Sequence, residues 1–411
     1  MSSPSSTSMG FVLTTGVAWG WGQNTSGQLG IQTLTAVSSP VAMVGNHSFV
    51  QVFQGNIHTI GLKGDGSVWA TGGNSFGQLG NRSTTNTSSP VLVVGNHSFI
   101  AITAGGYTSV GLKADGSVWT WGEGTYGELG NGSFNVSTSS PVLVVGSHSF
   151  VQITAGLEYV MGLKIDGSVW TWGGNVYGEL GNQTTTSSTS PVLVVGNHSF
   201  VAIAAGGYVS MGLKSDGSCW CWGDNTSGSL GNNSTTAASS PVLVVGNHSF
   251  ISISSGGSTS STYQNQAGLK ADGSVWCWGS SRYGSIGNGQ GGVSYSSPVA
   301  VIGNHSFNII MTGPAYMGAM KNDGSIWMWG AGSSGRLGQN VNVNSTSSPV
   351  LVVGSLHFAD GWDFRQHKAY IDDSANWHPV SYAYVNVNGS TWNYVTDIDV
   401  NVSSTTWKKA T

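Results

Sequence analysis

One pattern recurs seven times along this 411-residue chain. Two tryptophans one residue apart, followed by glycine, mark it: Trp19/Trp21, Trp119/Trp121, Trp170/Trp172, Trp220/Trp222, Trp276/Trp278 and Trp327/Trp329. The second unit keeps Trp69 but has Thr71 in the second slot. Successive first tryptophans lie 50, 50, 51, 50, 56 and 51 residues apart. Self-similarity at such a period signals a propeller or a solenoid, and it overrides the several separate domains that length alone suggests. Three other markers keep the same count. They are a Gly-Gln-Leu-Gly-like turn (ending at Gly30, Gly80, Gly130, Gly181, Gly231, Gly287 and Gly338), a Ser-Pro ahead of Val, and a Gly-Asn-His-Ser-Phe-like segment that decays in its last copy, at 354–358.

Within a unit, short β-rich runs alternate with Gly, Asn, Asp and Ser breakers. In the third unit, 100–104 reads as the inner strand and 109–113 as the second. An Asp-Gly hairpin turn leads to the third strand at 117–122, and 141–145 is the outer strand. No segment longer than ten residues has helical periodicity. The prediction is an all-β protein: a seven-bladed β-propeller of four-stranded blades over 10–361, with an N-terminal arm at 1–9 and C-terminal β-hairpin repeats at 362–411. The chain starts inside a unit, with no inner strand ahead of residue 10. Residues 357–361 sit where an inner strand begins, so they are expected to complete the first blade and leave no free sheet edge.

Only 7% of residues are charged, yet 17 Trp, 13 Tyr and 12 Phe supply a core. Net charge is −4, and six of the nine lysines occupy one repeated position (Lys63, Lys113, Lys164, Lys214, Lys270, Lys321), dispersed around a ring. A nucleic-acid partner is not expected, because it would need clustered cations. No apolar run is long enough to insert in a membrane. The first residues have neither the basic start nor the apolar core of a secretory signal. The asparagines in Asn-x-Ser/Thr sequons, such as Asn46, Asn96 and Asn197, are read as products of a Ser/Thr/Asn-rich surface. Cys219, Cys221 and Cys277 form no metal-type pair; Cys221 and Cys277 take the place of Thr120 and Thr171 and are read as small sheet residues.

The run Asp115-Gly-Ser-Val-Trp-Thr-Trp-Gly122 with Gly127-Glu-Leu-Gly130 resembles the regulator of chromosome condensation repeat family. His58-Thr59 is similar to that family's His-Thr at the start of the second strand, where other units have Tyr107, Tyr159 or Tyr208. The resemblance covers about 10–361 and implies a seven-bladed propeller. It does not carry over the nucleotide-exchange activity, which in that family depends on a wedge and on acidic contacts to a small GTPase. The one sizeable insertion here, 258–266, is uncharged, and the N-terminal arm has no Lys or Arg.

Composition shifts near Trp362, with nine charged residues in the last 50 against 21 in the first 361, which marks a separate tail. Three short alternating segments carry Trp377, Trp392 and Trp407, fifteen residues apart, and read as hairpins. They resemble terminal repeats of bacteriophage tail and virion proteins. The resulting expectation is a virion appendage or tail-fibre-like protein, assembled in the host cytoplasm and acting outside. It would bind a host-surface glycan or protein and dock to other virion proteins through its arm or tail. The alternatives are an intracellular protein-interaction scaffold and a secreted carbohydrate-binding or carbohydrate-active protein. Homo-oligomerisation is left open.

Successive propeller connections alternate between two faces. The Gly-Asn-His-Ser-Phe links and Lys-Ala-Asp-Gly-Ser hairpins share one face and are nearly identical. The other face carries the varied loops 81–88, 131–138, 182–189, 232–238 and 288–294 and the tyrosine-bearing first turns, and is the expected binding surface. Its candidate ligand contacts are Tyr126, Tyr177, Tyr283, Tyr107, Tyr159 and Tyr208. The tryptophans are expected to pack between blades rather than stack on sugars. His47, His97, His148, His198, His248 and His305 fall one per blade, too far apart to share a metal, and a turn or capping role is expected. Glu123 and Glu158 are the pair that could meet across the third and fourth blades as glycosidase carboxylates do, while Glu128 and Glu179 read as turn residues. No nucleophile triad or phosphate loop is present, so neither an enzyme nor a cofactor is expected.

Overall fold

The computed structural model describes residues 9–14, 16–257 and 261–353, and six short strands between 369 and 410. The chain divides into two compact units, Met1–Phe358 and Ala359–Thr411.

In the first unit each repeat makes its own antiparallel sheet, with strands paired in chain order. The third repeat is representative: Ala101–Ala104 pairs with Thr108–Leu112, that strand with Val118–Gly122, and that one with Thr138–Leu143. Inner strands of successive repeats pack on one another while outer strands do not, so the sheets radiate from a common centre. Repeats two to seven form six four-stranded blades. Among the described residues the first repeat forms a three-stranded sheet of Met9–Thr14, Val17–Gly22 and Val37–Ala42, so six four-stranded blades are seen where seven were expected. These three strands hold the second, third and outer positions of the blade. The strand expected from 357–361 and the arm at 1–8 lie outside the described residues. The seventh repeat nonetheless seats on the first sheet. Trp21 Nε1 donates to the Arg336 carbonyl at 3.0 Å, and Asn340 N donates to the Ser38 carbonyl at 3.0 Å.

The core lies between sheets, and the second tryptophan of each pair is its key. Trp21, Trp121, Trp172, Trp222, Trp278 and Trp329 are fully buried. Trp172 Nε1 donates to the Glu128 carbonyl (2.9 Å), Trp222 to that of Glu179 (2.8 Å), Trp278 to Ser229 (3.0 Å) and Trp329 to Ser285 (2.9 Å). Each acceptor is the second residue of the preceding repeat's Gly-Gln-Leu-Gly-like turn. In the second repeat Thr71 fills the slot, and its hydroxyl donates to the Gly27 carbonyl at 3.0 Å. The turn's last glycine makes room for the indole: at Gly130 (φ +60) a Cβ would lie 2.7 Å from Trp172 Nε1. The glycine after each tryptophan pair is equally constrained. Gly122 (φ +104) sits at a bulge between the third and outer strands, and a Cβ there would lie 2.3 Å from the Tyr107 carbonyl oxygen.

Cys219, Cys221 and Cys277 are free thiols inside this packing. Cys221 and Cys277 take the slot where Thr120 and Thr171 donate to the carbonyls of Leu129 and Leu180. The tail unit has three two-stranded sheets: Ala369–Asp372 with Trp377–Val380, Tyr384–Asn386 with Trp392–Tyr394, and Ile398–Ser403 with Thr406–Ala410. Among the described residues no helix is long and apolar enough to cross a membrane.

Candidate functional site: the varied face of the propeller

The two faces are built on opposite rules. On the lower face, one arrangement is copied six times. Lys113 Nζ lies 4.6 Å over Trp119, and His97 packs on the same ring at 4.4 Å and on Phe99 at 5.2 Å. The same trios form at Lys63/Trp69/His47, Lys164/Trp170/His148, Lys214/Trp220/His198, Lys270/Trp276/His248 and Lys321/Trp327/His305. Burial, then the neighbouring lysine charge, lowers the pKa of each of these histidines. The turn itself belongs to the preceding residues, Gly95 (φ +106) and Asn96 (φ 50), and not to the histidine. The expected turn role is therefore corrected to ring stacking, and these indoles are covered by lysine and histidine.

On the upper face, three positions per repeat vary beside a hydrogen-bonded rim; some, such as Tyr126, are exposed, and others, such as Asp224 and Gln264, are buried. The rim is a chain of bonds between the first turns of neighbouring blades. Asn56 N donates to the Gly106 carbonyl (2.9 Å), Gly106 N to Leu157 (3.0 Å), and Leu157 N to Gly207 (2.9 Å). Tyr208 N continues it onto Gln264 Oε1 (3.2 Å), a side chain supplied by the sixth-repeat insertion. The next residue after the rim is Ile57, Tyr107, Glu158, Tyr208, Gln264 or Ala315. The residue after the third-strand glycine is Gln23, Gly73, Glu123, Gly174, Asp224, Ser280 or Ala331. The residue before the Gly-Gln-Leu-Gly-like turn is Ser26, Phe76, Tyr126, Tyr177, Ser227, Tyr283 or Ser334.

These positions meet across blade boundaries. Phe76 packs on Tyr107 (5.3 Å) and Tyr177 on Tyr208 (5.1 Å). Tyr126, 38% exposed, faces the corresponding residue of the fourth repeat, Glu158, whose charge raises the phenol's pKa first among its causes. Glu158 lies over Gly174, where a Cβ would be 3.2 Å from the Glu158 Cβ. Tyr283 is apart from these, stacked on Tyr263 (5.9 Å) with Arg282 over the Tyr263 ring (5.3 Å). Tyr159 is the one predicted contact that the structure removes from the face. It is the first residue of its strand, one register beyond Tyr107 and Tyr208, and it is buried with its hydroxyl donating to the Val209 carbonyl at 2.7 Å. Burial pushes its pKa up. His58 has the same position in the second repeat. It is buried with Nε2 3.0 Å from Ser109 Oγ, and burial lowers its pKa to about 3, so it is neutral.

Carboxylates gather in repeats three to five. Burial raises Glu158 to about 7, and the charge of Glu123 adds to the shift. Burial also raises Glu123, opposed by a hydrogen bond from Thr125 Oγ1 at 3.1 Å. Burial pushes Glu128 to about 8 and Glu179 to about 7. Their Oε2 atoms accept from Tyr126 N (2.8 Å) and Tyr177 N (2.9 Å), as Gln28 and Gln78 accept from Ser26 and Phe76, so the turn role holds. Burial raises Asp224 as well. Among the described residues, no lysine or arginine is a named cause of any of these five shifts.

The asparagine two residues after the third-strand glycine was not singled out from the sequence. Asn175 Oδ1 accepts from Leu180 N (2.9 Å), and Nδ2 donates to the carbonyls of Thr184 (3.1 Å) and Thr186 (3.0 Å), pinning the varied loop. Asn24, Asn74 and Asn225 repeat the arrangement, and that recurrence was the available signal.

A ring of sheets, each paired in chain order, defines a β-propeller. Residues 17–369 match the family model of the RCC1-like domain, and the chain belongs to that family. No curated protein sequence matches it. Among solved structures it is similar to human WBSCR16, at 19% identity and a TM-score of 0.74, over 83% of this chain and 94% of that one. It is also similar to Prp20p from Saccharomyces cerevisiae, at 18% identity and a TM-score of 0.73, over 84% of this chain and 88% of that one. The Prp20p structure was described together with that protein's binding to Gsp1p and histones.

Proposed function

We propose that this protein is a non-enzymatic interaction scaffold whose upper face binds a protein partner. One observation carries this reading: the lower face repeats one lysine, tryptophan and histidine trio in six repeats, whereas the upper face carries tyrosines and carboxylates that differ from repeat to repeat. Strand and lower-face positions are held by packing that any blade needs. The upper face offers tyrosines, which bring large contact area at small entropic cost. Membership in the RCC1-like family supports the reading, and binding to proteins is what the Prp20p description records for that relative. The host-attachment expectation rested on few charges, a hydroxyl- and amide-rich exterior, a start without a secretory signal and the resemblance of the tail, and the family that the chain matches does not support it.

The test is site-directed photo-crosslinking in the cells that make the protein. A benzophenone amino acid at Tyr177 should yield a discrete adduct with one protein, and the same probe at Lys214 on the lower face should not. Adducts from Lys214 alone, or none from either face, would overturn the assignment.

A further inference from the structure

We propose that Cys219, Cys221 and Met211 of the fifth repeat form a closed site for one soft monovalent metal ion, copper(I), held by sulfur alone. The site is separate from the upper face and does not depend on what that face binds.

Residues two apart on a strand share one side of the sheet, so Cys-x-Cys on the strand Cys219–Gly223 presents both thiols together. Their Sγ atoms lie 4.0 Å apart. With metal–sulfur bonds of about 2.3 Å, two sulfurs at that separation subtend about 120° at a shared ion, the angle of a three-coordinate centre. The neighbouring strand, Val209–Leu213, offers the third sulfur: Met211 is the register partner of Cys221 and stands beside it on the same side. All three residues are buried in one apolar cluster with Leu213, Leu230, Phe250 and Trp278. Thiolate and thioether sulfur select copper(I). Among the described residues this cluster includes no histidine or carboxylate, so it does not offer the four-ligand shell that zinc takes.

Blade packing does not demand this set. The third repeat fills the same places with Val118, Thr120 and Val110, and the fourth with Val169, Thr171 and Met161. The fifth repeat alone has sulfur at all three. Cys277 has the slot of Cys221 in the sixth repeat, but there Val275 and Ala267 complete the trio. Burial, and then the neighbouring Cys219, hold the Cys221 thiol well above its ordinary range, so it keeps its proton until an ion replaces it. Two protons leave as one ion binds, and affinity therefore rises with pH. The blades close over the site, so the ion enters as the chain folds or when repeats five and six open locally.

The probe is copper(I), supplied anaerobically as its bicinchoninate complex to the reduced full chain, both folded and during refolding, and followed by desalting. The protein should retain one copper per chain, with thiolate-to-copper absorption in the ultraviolet and only sulfur neighbours in the X-ray absorption spectrum. Its affinity, read by competition with bicinchoninate, should fall by about tenfold or more between pH 8 and pH 7. Cys219→Val/Cys221→Thr gives the fifth repeat the side chains that the fourth already packs. It should keep its circular dichroism and Tm and retain no copper. Met211→Leu should weaken binding at least tenfold, and Cys277→Thr should leave it unchanged. No uptake by the wild type, a shell of nitrogen or oxygen, copper retained by Cys219→Val/Cys221→Thr, unchanged affinity in Met211→Leu, or an equal loss in Cys277→Thr would each overturn the proposal.

Discussion

Where the first two repeats carry Gln28 and Gln78, the third and fourth carry Glu128 and Glu179, yet all four side chains accept the same turn amide. A protonated carboxyl is close to an amide in shape, and burial favours the neutral form. The folded protein therefore holds protons that the unfolded chain releases near pH 4.5. With Glu128 raised to about 8 and Glu179 to about 7, their stabilising contribution is complete below pH 4.5 and is lost as pH rises through those values. Glu128→Gln/Glu179→Gln should remove most of this loss, making the protein more stable than wild type at pH 8.5 by about 1–3 kcal/mol and nearly equal at pH 4.5. Chemical denaturation across that range checks it; a gap between the two proteins that does not change with pH would contradict the protonation argument. Glu158 and Glu123 leave a residual slope in the double variant, because their pKa values are raised in the same direction.

Each blade is organised by a few side chains that reach into a neighbour, with its outer strand blunted by a proline such as Pro141, which offers no N–H along the free edge. The varied loops attach to this frame through the buried asparagines. Asn175→Ala should free the loop after Gly181, costing about 1–3 kcal/mol for the lost buried hydrogen bonds and accelerating amide exchange at Leu180 and through the loop. The third repeat has Gly124 at this position, where a Cβ would meet the Val136 carbonyl oxygen at 2.1 Å, so its loop is held differently and should not change. Unaltered exchange at Leu180 would show that Asn175 is not the anchor. Strands, blade order and the division into two faces were legible because each depends on local alternation and turn chemistry, repeated often enough to be unambiguous. The sites were less so. Placing Tyr159 required the strand register to one residue, and a single-residue slip sends a side chain to the other surface. The stacking of His97 on Trp119 joins segments twenty-two residues apart in sequence through a contact that no local pattern encodes. The approach of Glu123 to Glu158 was open to sequence reasoning because the blade order makes their repeats neighbours; the raised pKa values follow only from burial in three dimensions.

Across the whole molecule, the difference between a ring and an open stack of sheets lies in one seam. In an open stack the first and last sheets would have one neighbour each, and a terminal key residue would matter less than an internal one. Here Trp21 is as buried as Trp172, and its indole reaches the Arg336 carbonyl of the seventh repeat just as Trp172 reaches that of Glu128 in its own predecessor. Arg336 adds hydrogen bonds to Ser333 Oγ at 2.9 Å and, across the seam, to Gln23 Oε1 at 3.3 Å. The closing seam therefore has the same construction as the internal ones. Trp21→Ala should cost about 3–5 kcal/mol, the range for deleting a fully buried tryptophan, and Trp172→Ala should cost about the same. Hydrogen exchange in the Trp21→Ala protein should accelerate in both the first sheet and the seventh blade, which are far apart in sequence and share only that boundary. A Trp21→Ala loss well below that of Trp172→Ala, with faster exchange confined to the first sheet, would mean that the seam contributes little and that the sheets behave as an open array.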